Sequence, residues 1–267
     1  MASPFRSERY YELTIGDMLI VPPINVAFSA DKSIEGGIGK LNVTVYNLNK
    51  SHRMQLEKDA EDQKYIPLQF KAGFIGQINT FFIGNVHTGR NYRNGADIIT
   101  ELECLDGGFD YLNSFTAKTV TTSEEALTAL LDDMPHIERG KIKPLKDIIR
   151  PKVMLGPSVE LLDSFLNEGD NWFIDGERLH ILAENETVSE TAPVISPQTG
   201  LLETPEREQT LVTVKTLFNP AILIGGPFEL RSEIAPYMNG LYKVKTLNAS
   251  GEYDGSTWEM TVTGRPI

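Results

Sequence analysis

Residues 196–232 read SPQTGLLETPEREQTLVTVKTLFNPAILIGGPFELRS, and much of this stretch alternates apolar and polar side chains. Val212 and Val214 fall on one face of an extended chain, with Thr213 and Lys215 on the other, which is the pattern of a half-buried strand. Short runs of this kind, separated by turn residues, predict a compact antiparallel β-domain.

Proline and glycine mark the turns in and after this stretch. Pro220 ends the first strand because proline has no N–H to donate to a ladder, and residues 225–227, Gly-Gly-Pro, make the next turn. Residues 239–264, NGLYKVKTLNASGEYDGSTWEMTVTG, add two strands that Asp254-Gly255 connects. Trp258 shares the apolar face of the last strand, so it is predicted to anchor a core and not to bind a ligand.

Together these segments resemble the C-terminal domain of the baseplate hub proteins of contractile-tailed bacteriophages. The resemblance is carried by residues 199–201 (TGL), 204–207 (TPER), 217–232 (LFNPAILIGGPFELRS), 239–247 (NGLYKVKTL) and 251–261 (GEYDGSTWEMT). They are turn and core residues and include no catalytic motif. The resemblance therefore implies a fold and an assembly more than a chemistry.

That family implies a structural subunit that forms a homotrimeric ring, in which each copy gives two tube-like β-domains. Six similar domains would then surround a channel for DNA and join the tail tube to the central spike. The implied partners are a tail tube or tube-initiator protein on one side and a spike protein on the other, with baseplate wedge proteins and the tape measure as further contacts. The implied location is the tail baseplate of the virion, after synthesis in the host cytoplasm.

The composition is that of a globular protein with an acidic surface. Hydrophobic residues make up 40% and charged residues 23% of the chain, and the formal net charge is -12. Such a charge argues against tight nucleic-acid binding and against anionic membranes. We expect the acidic excess to line the channel, where it would repel DNA; an even acidic coat that keeps the protein soluble is the alternative.

Three parts follow one another along the chain. Residues 8–118 form a first β-domain of tube-like type, a barrel or sandwich, with alternating strands at Tyr11, Leu13 and Ile15, at Ile24, Val26 and Phe28, and at Leu41, Val43 and Val45. Residues 119–189 form a small α+β insertion, and residues 190–267 the second tube-like β-domain. The predicted fold class is mainly β with an α+β insertion.

Helix signals are confined to the middle of the chain. Thr122 and Glu125 form a capping box before an apolar face with helical spacing, and Pro135 stops that helix. Ser158 is predicted to cap a second helix that ends at Gly169. Asp175-Gly176 then predicts a hairpin. The glycine-rich segment SIEGGIGK at 33–40 is predicted to be a flexible turn, because no helix follows it to form a phosphate loop.

No arrangement of residues in the sequence predicts a catalytic, cofactor or metal site. The four histidines, His52, His87, His136 and His180, are never three or four residues apart, and His180 is predicted to face solvent. The single Cys104 excludes a disulfide framework and lies on the apolar face of a strand, so a buried thiol is expected.

The densest carboxylate cluster contains Glu101, Glu103, Asp106 and Asp110. Two carboxylates are what a glycosidase needs, but an acidic chain offers many such pairs, and a solvated acidic face is the preferred interpretation. Two other functions remain open: a tail-associated enzyme that degrades the cell envelope, and a secreted carbohydrate-binding β-module. No apolar stretch is long enough to span a bilayer, and the first twelve residues lack the apolar region of a secretory signal.

Overall fold

The computed structural model describes residues 8–35 and 37–267. Residues 1–7 and Gly36, on which part of the signal and glycine-turn predictions fall, lie outside the described residues. The first strands in chain order are β1 (Arg9–Ile15), β2 (Met18–Ile20), β3 (Val26–Ser33), β4 (Gly37–Ile38), β5 (Lys40–Tyr46), β6 (Pro67–Phe74), β7 (Gln77–Asn94) and β8 (Asp97–Leu105). The remaining strands are β9 (Phe115–Val120), β10 (Glu138–Ile142), β11 (Lys152–Pro157), β12 (Asn171–Ile174), β13 (Arg178–Leu182), β14 (Val194–Ile195), β15 (Glu206–Glu208), β16 (Leu211–Leu217), β17 (Pro227–Leu230), β18 (Gly240–Glu252) and β19 (Trp258–Pro266).

Four short α-helices accompany these strands. They are α1 (Lys50–Leu56), α2 (Gly108–Asn113), α3 (Ser123–Asp132) and α4 (Ser158–Leu162), with 3-10 turns at Asp163–Phe165 and Pro236–Met238. Strands therefore dominate the described residues, and the predicted mainly β fold class is confirmed.

One sheet contains thirteen of the strands. Its order is β15-β16-β19-β18-β3-β5-β8-β7-β6-β1-β2, with β17 attached to β18 and β14 to β17. In this sheet all neighbours along the main order are antiparallel, and the attached pair β14 and β17 is parallel. A sheet of more than about ten strands curls or divides into layers. Two long strands allow that division: the first half of β7 pairs with β6 and its second half with β8, and β18 divides its length between β17 and β3 in a similar way.

The two layers enclose one continuous apolar core. Phe28 of β3 lies at its centre, with ring centroids 4.9 Å from Phe70 of β6, 5.5 Å from Phe218 and 5.2 Å from Trp258 of β19. Side chains from both predicted β-domains thus share a core because β18 and β3 pair directly. The burial of Trp258, with 3% of its surface exposed, confirms its prediction as a core residue.

The large sheet contains an internal structural repeat. The first unit, β3, β5, β6, β7 and β8, has the spatial order β3-β5-β8-β7-β6. The second unit, β15 to β19, has the corresponding order β15-β16-β19-β18-β17. Both units carry a bulge at the same place: the pairing of β7 with β8 shifts between Val86 and Thr88, and that of β18 with β19 between Val244 and Thr246. The two units are thus equivalent strand for strand.

A separate small core lies in the middle of the chain. It includes Val120, Leu130, Met154, Trp172 and Ile181, which are all buried. Its strands form a sheet of order β10-β13-β12-β4 and a two-stranded sheet of β9 and β11. The division of the chain into domains at 8–118, 119–189 and 190–267 stays a prediction.

Local turn and cap chemistry explains which further predictions hold. Thr122 and Glu125 do form the capping box of α3, and the helix ends at Asp132, before Pro135. Asp175-Gly176 does make the turn of the β12–β13 hairpin. Alternating core residues of β1, β5 and β16 are buried as expected.

Three local predictions are wrong. Ile24 lies before β3 and is 36% exposed, because the chain turns at the preceding residues and its N–H bonds Val21 O. Ser158 is the first residue of α4, not its cap; it is buried and its hydroxyl bonds that of Thr116 at 2.9 Å. The helix ends at Leu162, before Gly169.

The described part of the glycine-rich segment contains a strand, where a flexible turn was predicted. Its residues Gly37 and Ile38 form β4, which pairs in parallel with Phe173 and Ile174 of β12. Backbone hydrogen bonds to a neighbouring strand thus hold a segment whose side chains give no strand signal.

Candidate functional site

The main candidate surface is one face of the large sheet, on the side opposite its apolar core. We call it the open face and define it by alternate residues of seven neighbouring strands. They are Thr213, Lys215, Glu259, Thr261, Thr263, Arg265, Thr246, Asn248, Ser250, Ser29, Asp31, Ser33, Lys40, Asn42, Thr44, Glu101, Glu103, Thr88 and Arg90. One cross-strand row runs unbroken through Lys215, Thr261, Asn248, Asp31 and Lys40.

The nineteen residues that define the open face are polar and carry no net charge. Its acidic residues are Asp31, Glu101, Glu103 and Glu259, and its basic residues are Lys40, Arg90, Lys215 and Arg265. The other residues of the face are Ser, Thr and Asn. The same face continues beyond these residues through Glu206 and Glu208 of β15, the register partners of Thr213 and Leu211, so acidic residues lie at its margin. The expectation of an acidic channel wall stays a prediction.

Cross-strand pairing explains this balance. Lys40 Nζ lies 2.6 Å from Glu103 Oε1, and Lys215 Nζ lies 3.0 Å from Glu259 Oε1. Arg90 is the register partner of Glu101. Opposite charges that face each other on neighbouring strands stabilise the pairing modestly and cancel each other's field.

The predicted carboxylate cluster is divided between this face and the interior. Glu101 and Glu103 lie on the open face, whereas Asp106 and Asp110 are buried, so a single solvated acidic face is the wrong interpretation. Asp106 follows β8 and accepts hydrogen bonds from the backbone N–H groups of Gly176 (2.7 Å) and Glu177 (2.8 Å). It therefore fixes the β12–β13 turn against the large sheet.

A buried lysine completes this junction. Lys32 Nζ, on β3, donates to Asp175 Oδ1 at 2.5 Å and to Phe81 O at 2.8 Å. Burial, and then the charge of Asp175, raise the pKa of Asp106 to about 7, although Lys32 and the two backbone N–H groups act in the opposite direction. The sequence offered no signal for this junction, because its bonded partners lie between 49 and 143 residues apart along the chain.

Asp110 fixes a second contact of the small core region. Its carboxylate accepts from His136 N at 2.6 Å and bonds His136 Nδ1 at 2.8 Å. The His136 ring stacks on Tyr65 with centroids 4.0 Å apart, and the Tyr65 hydroxyl donates to Glu177 Oε1 at 2.7 Å. Burial raises the pKa of Glu177. These contacts connect four separate segments of the chain, and their role is structural.

The other histidine and cysteine predictions have mixed outcomes. His180 lies on the face opposite the buried Leu179 and Ile181, as predicted, but is only partly exposed there: its ring stacks on Phe173 at 5.2 Å, its Nδ1 accepts from Lys141 N at 3.1 Å, and burial lowers its pKa. The alternation along β13 predicted the right strand and face, and the shielding comes from the strands paired on either side of β13, β10 and β12. Cys104 is buried as predicted, and burial raises the pKa of its thiol, which makes it unreactive.

Across residues 8–35 and 37–267, no group of three or more His, Cys, Asp or Glu side chains is placed to hold a metal ion. The same residues contain no helix that is long and apolar enough to cross a membrane.

Solved structures with the same architecture are phage tail and secretion proteins. A tail protein from Neisseria meningitidis MC58 aligns with a TM-score of 0.63 and 8% identity over 97% of this chain and 96% of that one. The 43 kDa tail protein of prophage MuSo2 from Shewanella oneidensis gives 0.65 and 10%, over 97% of both chains. The E. coli c3393 protein, described as a type VI secretion component similar to the T4 tail proteins gp27 and gp5, gives 0.66 and 10%, over 96% of this chain and 76% of that one.

These likenesses define a fold of the phage tail class. A family model, baseplate hub gp41, matches residues 18–254, and the chain therefore belongs to the baseplate hub gp41 family. No curated protein sequence matches the chain. The protein is a structural component of the tail baseplate of a bacteriophage virion.

Proposed function

We propose that three copies of the chain form the hub ring of a contractile tail. The observation that carries this proposal is the internal repeat, with the same strand order and the same bulge in both units. Three chains with two equivalent units each present six similar units around one axis. Such a ring can match a hexameric tube on one side and a trimeric spike on the other, since sixfold and threefold symmetries share an axis.

The open face is the surface that suits the wall of a DNA channel. Its eleven Ser, Thr and Asn residues offer short polar side chains, and its eight charged residues balance one another. Basic walls would bind phosphates and slow the passage of DNA, because neutralising phosphates releases counterions and gains affinity. We propose that paired charges keep the central part of this wall near neutral, and that acidic residues are confined to its margins, such as Glu206 and Glu208 of β15.

The partners follow from this ring. The tail tube or its initiator protein would contact one end, the spike protein the other, and wedge proteins and the tape measure would be further contacts. The similarity of the E. coli relative to two T4 tail proteins supports a place in such an assembly. We further propose that the chain has no enzymatic role, because Asp106 and Asp110 use both carboxylate oxygens to hold backbone or ring N–H groups.

Electron microscopy of the purified protein tests the ring. Averages viewed along the axis should show three copies with six similar lobes around an open channel. Particles without a central channel, or with a number of copies other than three, would contradict the proposal. A peptidoglycan gel tests the second part: clearing by the wild type that Asp110→Asn abolishes would establish a lytic enzyme instead.

A further inference from the structure

We propose that β15 of one copy pairs with the second half of β7 of the next copy, continuing the large sheet across the subunit boundary. This inference rests on the proposed ring and names the strands that close it. Within one chain, β18 of the second unit already pairs with β3 of the first. The repeat makes β7 equivalent to β18 and β15 equivalent to β3, so one further junction of the same kind is available at the opposite edges of the two units.

The registers fix which residues are equivalent. Thr88 follows the bulge of β7 as Thr246 follows that of β18, and the pairs Thr88–Glu103 and Thr246–Thr263 correspond. Arg90 is therefore equivalent to Asn248. Likewise, Glu208 pairs with Leu211 as Asp31 pairs with Lys40, so Glu208 is equivalent to Asp31.

The junction inside the chain then predicts the junction between chains. Asn248 pairs with Asp31, Ala249 with Ala30 and Ser250 with Ser29. We then replace each of these residues by its equivalent in the other unit. The same antiparallel register places Arg90 opposite Glu208, Asn91 opposite Arg207 and Tyr92 opposite Glu206 of the next copy.

Both strands have the exposure that such a junction requires. All three residues of β15 are exposed, and its pairing partner within the chain is β16. Arg90 and residues 92–94 of β7 are exposed as well. Short, charged edge strands resist non-specific pairing, so an edge of this kind selects a partner strand of opposite charge.

One existing contact sets the length of the junction. The N–H and C=O of Gly89 bond Lys58 at 2.8 and 3.0 Å, which occupies the outer edge of β7 there. Pairing with another copy therefore begins beyond Gly89 and covers Arg90 to Tyr92, the same length as β15.

Charge complementarity favours this register. Arg90 meets Glu208 directly, and Arg93 lies one residue beyond the pair of Tyr92 and Glu206. The same edge of β15 would place glutamates near each other if it paired with a second β15, and like charges opposite one another destabilise a sheet. The occupant is thus β7 of a second copy.

Disulfide trapping tests the register. Gly89 points its backbone groups outward, and so does Asn91 two residues on, so Arg90 and Glu208 form the narrow pair that lacks mutual hydrogen bonds. Its Cα atoms should lie about 4.5 Å apart, within the range that a disulfide spans. Arg90→Cys with Glu208→Cys should give a covalent trimer on a non-reducing gel that reductant returns to monomer.

Two matched variants act as controls. Asn248→Cys with Asp31→Cys, the equivalent pair inside the chain, should close without any gain in mass. Arg90→Cys with Arg207→Cys, one residue out of register and on opposite faces, should stay monomeric on the gel. The native Cys104 is buried, so we expect it to form no cross-link of its own.

The outcomes separate the junction from the ring. If the double-cysteine variant assembles to a trimer in solution without the cross-link, while the internal control closes, the junction is overturned and the ring stands. A chain that stays monomeric at every concentration overturns both. A covalent trimer in the out-of-register control also overturns the register.

Charge exchange gives an independent readout. Arg90→Glu and Glu208→Arg should each weaken assembly about three- to tenfold per junction, and the double variant should restore it. Glu168→Arg, in an exposed turn of the small core region, should change assembly little. Additive weakening in the double variant would overturn the pairing of these two residues.

Discussion

The two units of the large sheet share their strand order but differ at their outer edge. The edge strand of the first unit, β3, has eight residues and is covered by β18 of the same chain. The edge strand of the second unit, β15, has three residues, all exposed. The edge strand of the first unit is thus paired within the chain, whereas the edge strand of the second unit is left accessible. A subunit of a closed ring requires such an accessible edge.

The units also differ in what they support. Lys32 and Asp106 of the first unit hold the β12–β13 turn of the small core region. At the equivalent positions the second unit has Gln209, which is exposed, and Pro266 at the end of β19. The second unit holds the inserted region in a different way, through the buried Lys243 of β18, whose Nζ donates to Ala183 O at 2.9 Å and to Glu184 O at 3.2 Å.

The largest expected effect comes from the core that both units share. Trp258→Ala should lower the free energy of unfolding by about 3–5 kcal/mol, because a buried indole is replaced by a cavity. Ile98, the equivalent residue of the first unit, is only half-buried, and Ile98→Ala should cost about 1 kcal/mol. Denaturant unfolding at fixed protein concentration measures both. Equal losses would show that the two units do not differ at this position.

The next effect concerns the buried lysine. Lys32→Met should destabilise the fold by about 2–3 kcal/mol, since it leaves the carboxylates of Asp175 and Asp106 without their cation. Gln209→Met, at the equivalent exposed position, should change stability by less than about 0.5 kcal/mol. Urea midpoints of the two variants provide the comparison, and a neutral Lys32→Met would contradict the proposed anchoring role.

The smallest effect, counted per pH unit, is a pH dependence that arises in the first unit between about pH 4 and pH 7. The folded-state pKa of Asp106, about 7, lies above its ordinary value of 3.8, so the folded state binds the proton more tightly than the unfolded state. Its contribution to stability is full below about pH 4 and is lost as the pH rises to about 7, at roughly 1 kcal/mol per pH unit. The stability difference between wild type and Asp106→Asn should change with this slope between pH 4.5 and 6.5. A difference that is constant with pH would refute it.

The sequence was sufficient where local periodicity decides the structure. Val212 and Val214, and the capping box of Thr122, need no distant partner to be recognised. The partial shielding of His180 was not predicted, because it comes from Phe173 and from β10, a strand more than thirty residues earlier that pairs with β13. Which face of a strand is exposed depends on such distant neighbours.

The repeat could not be predicted from the sequence, for a related reason. The bulge segments Val86-His87-Thr88 and Val244-Lys245-Thr246 share two residues of three, but little else aligns by eye. The equivalence lies in strand order and register, which tertiary pairing sets. The open face could not be predicted from the sequence either, since Lys40 and Glu103 come into contact only when β5 and β8 pair.

Native mass spectrometry of the purified full chain tests the central claim, that two equivalent units per chain build a ring of three, most directly. The account predicts one dominant species at three times the 29.8 kDa of the chain, which Glu208→Arg shifts towards monomer. A monomer at every concentration, or a dominant dimer or hexamer, would contradict it.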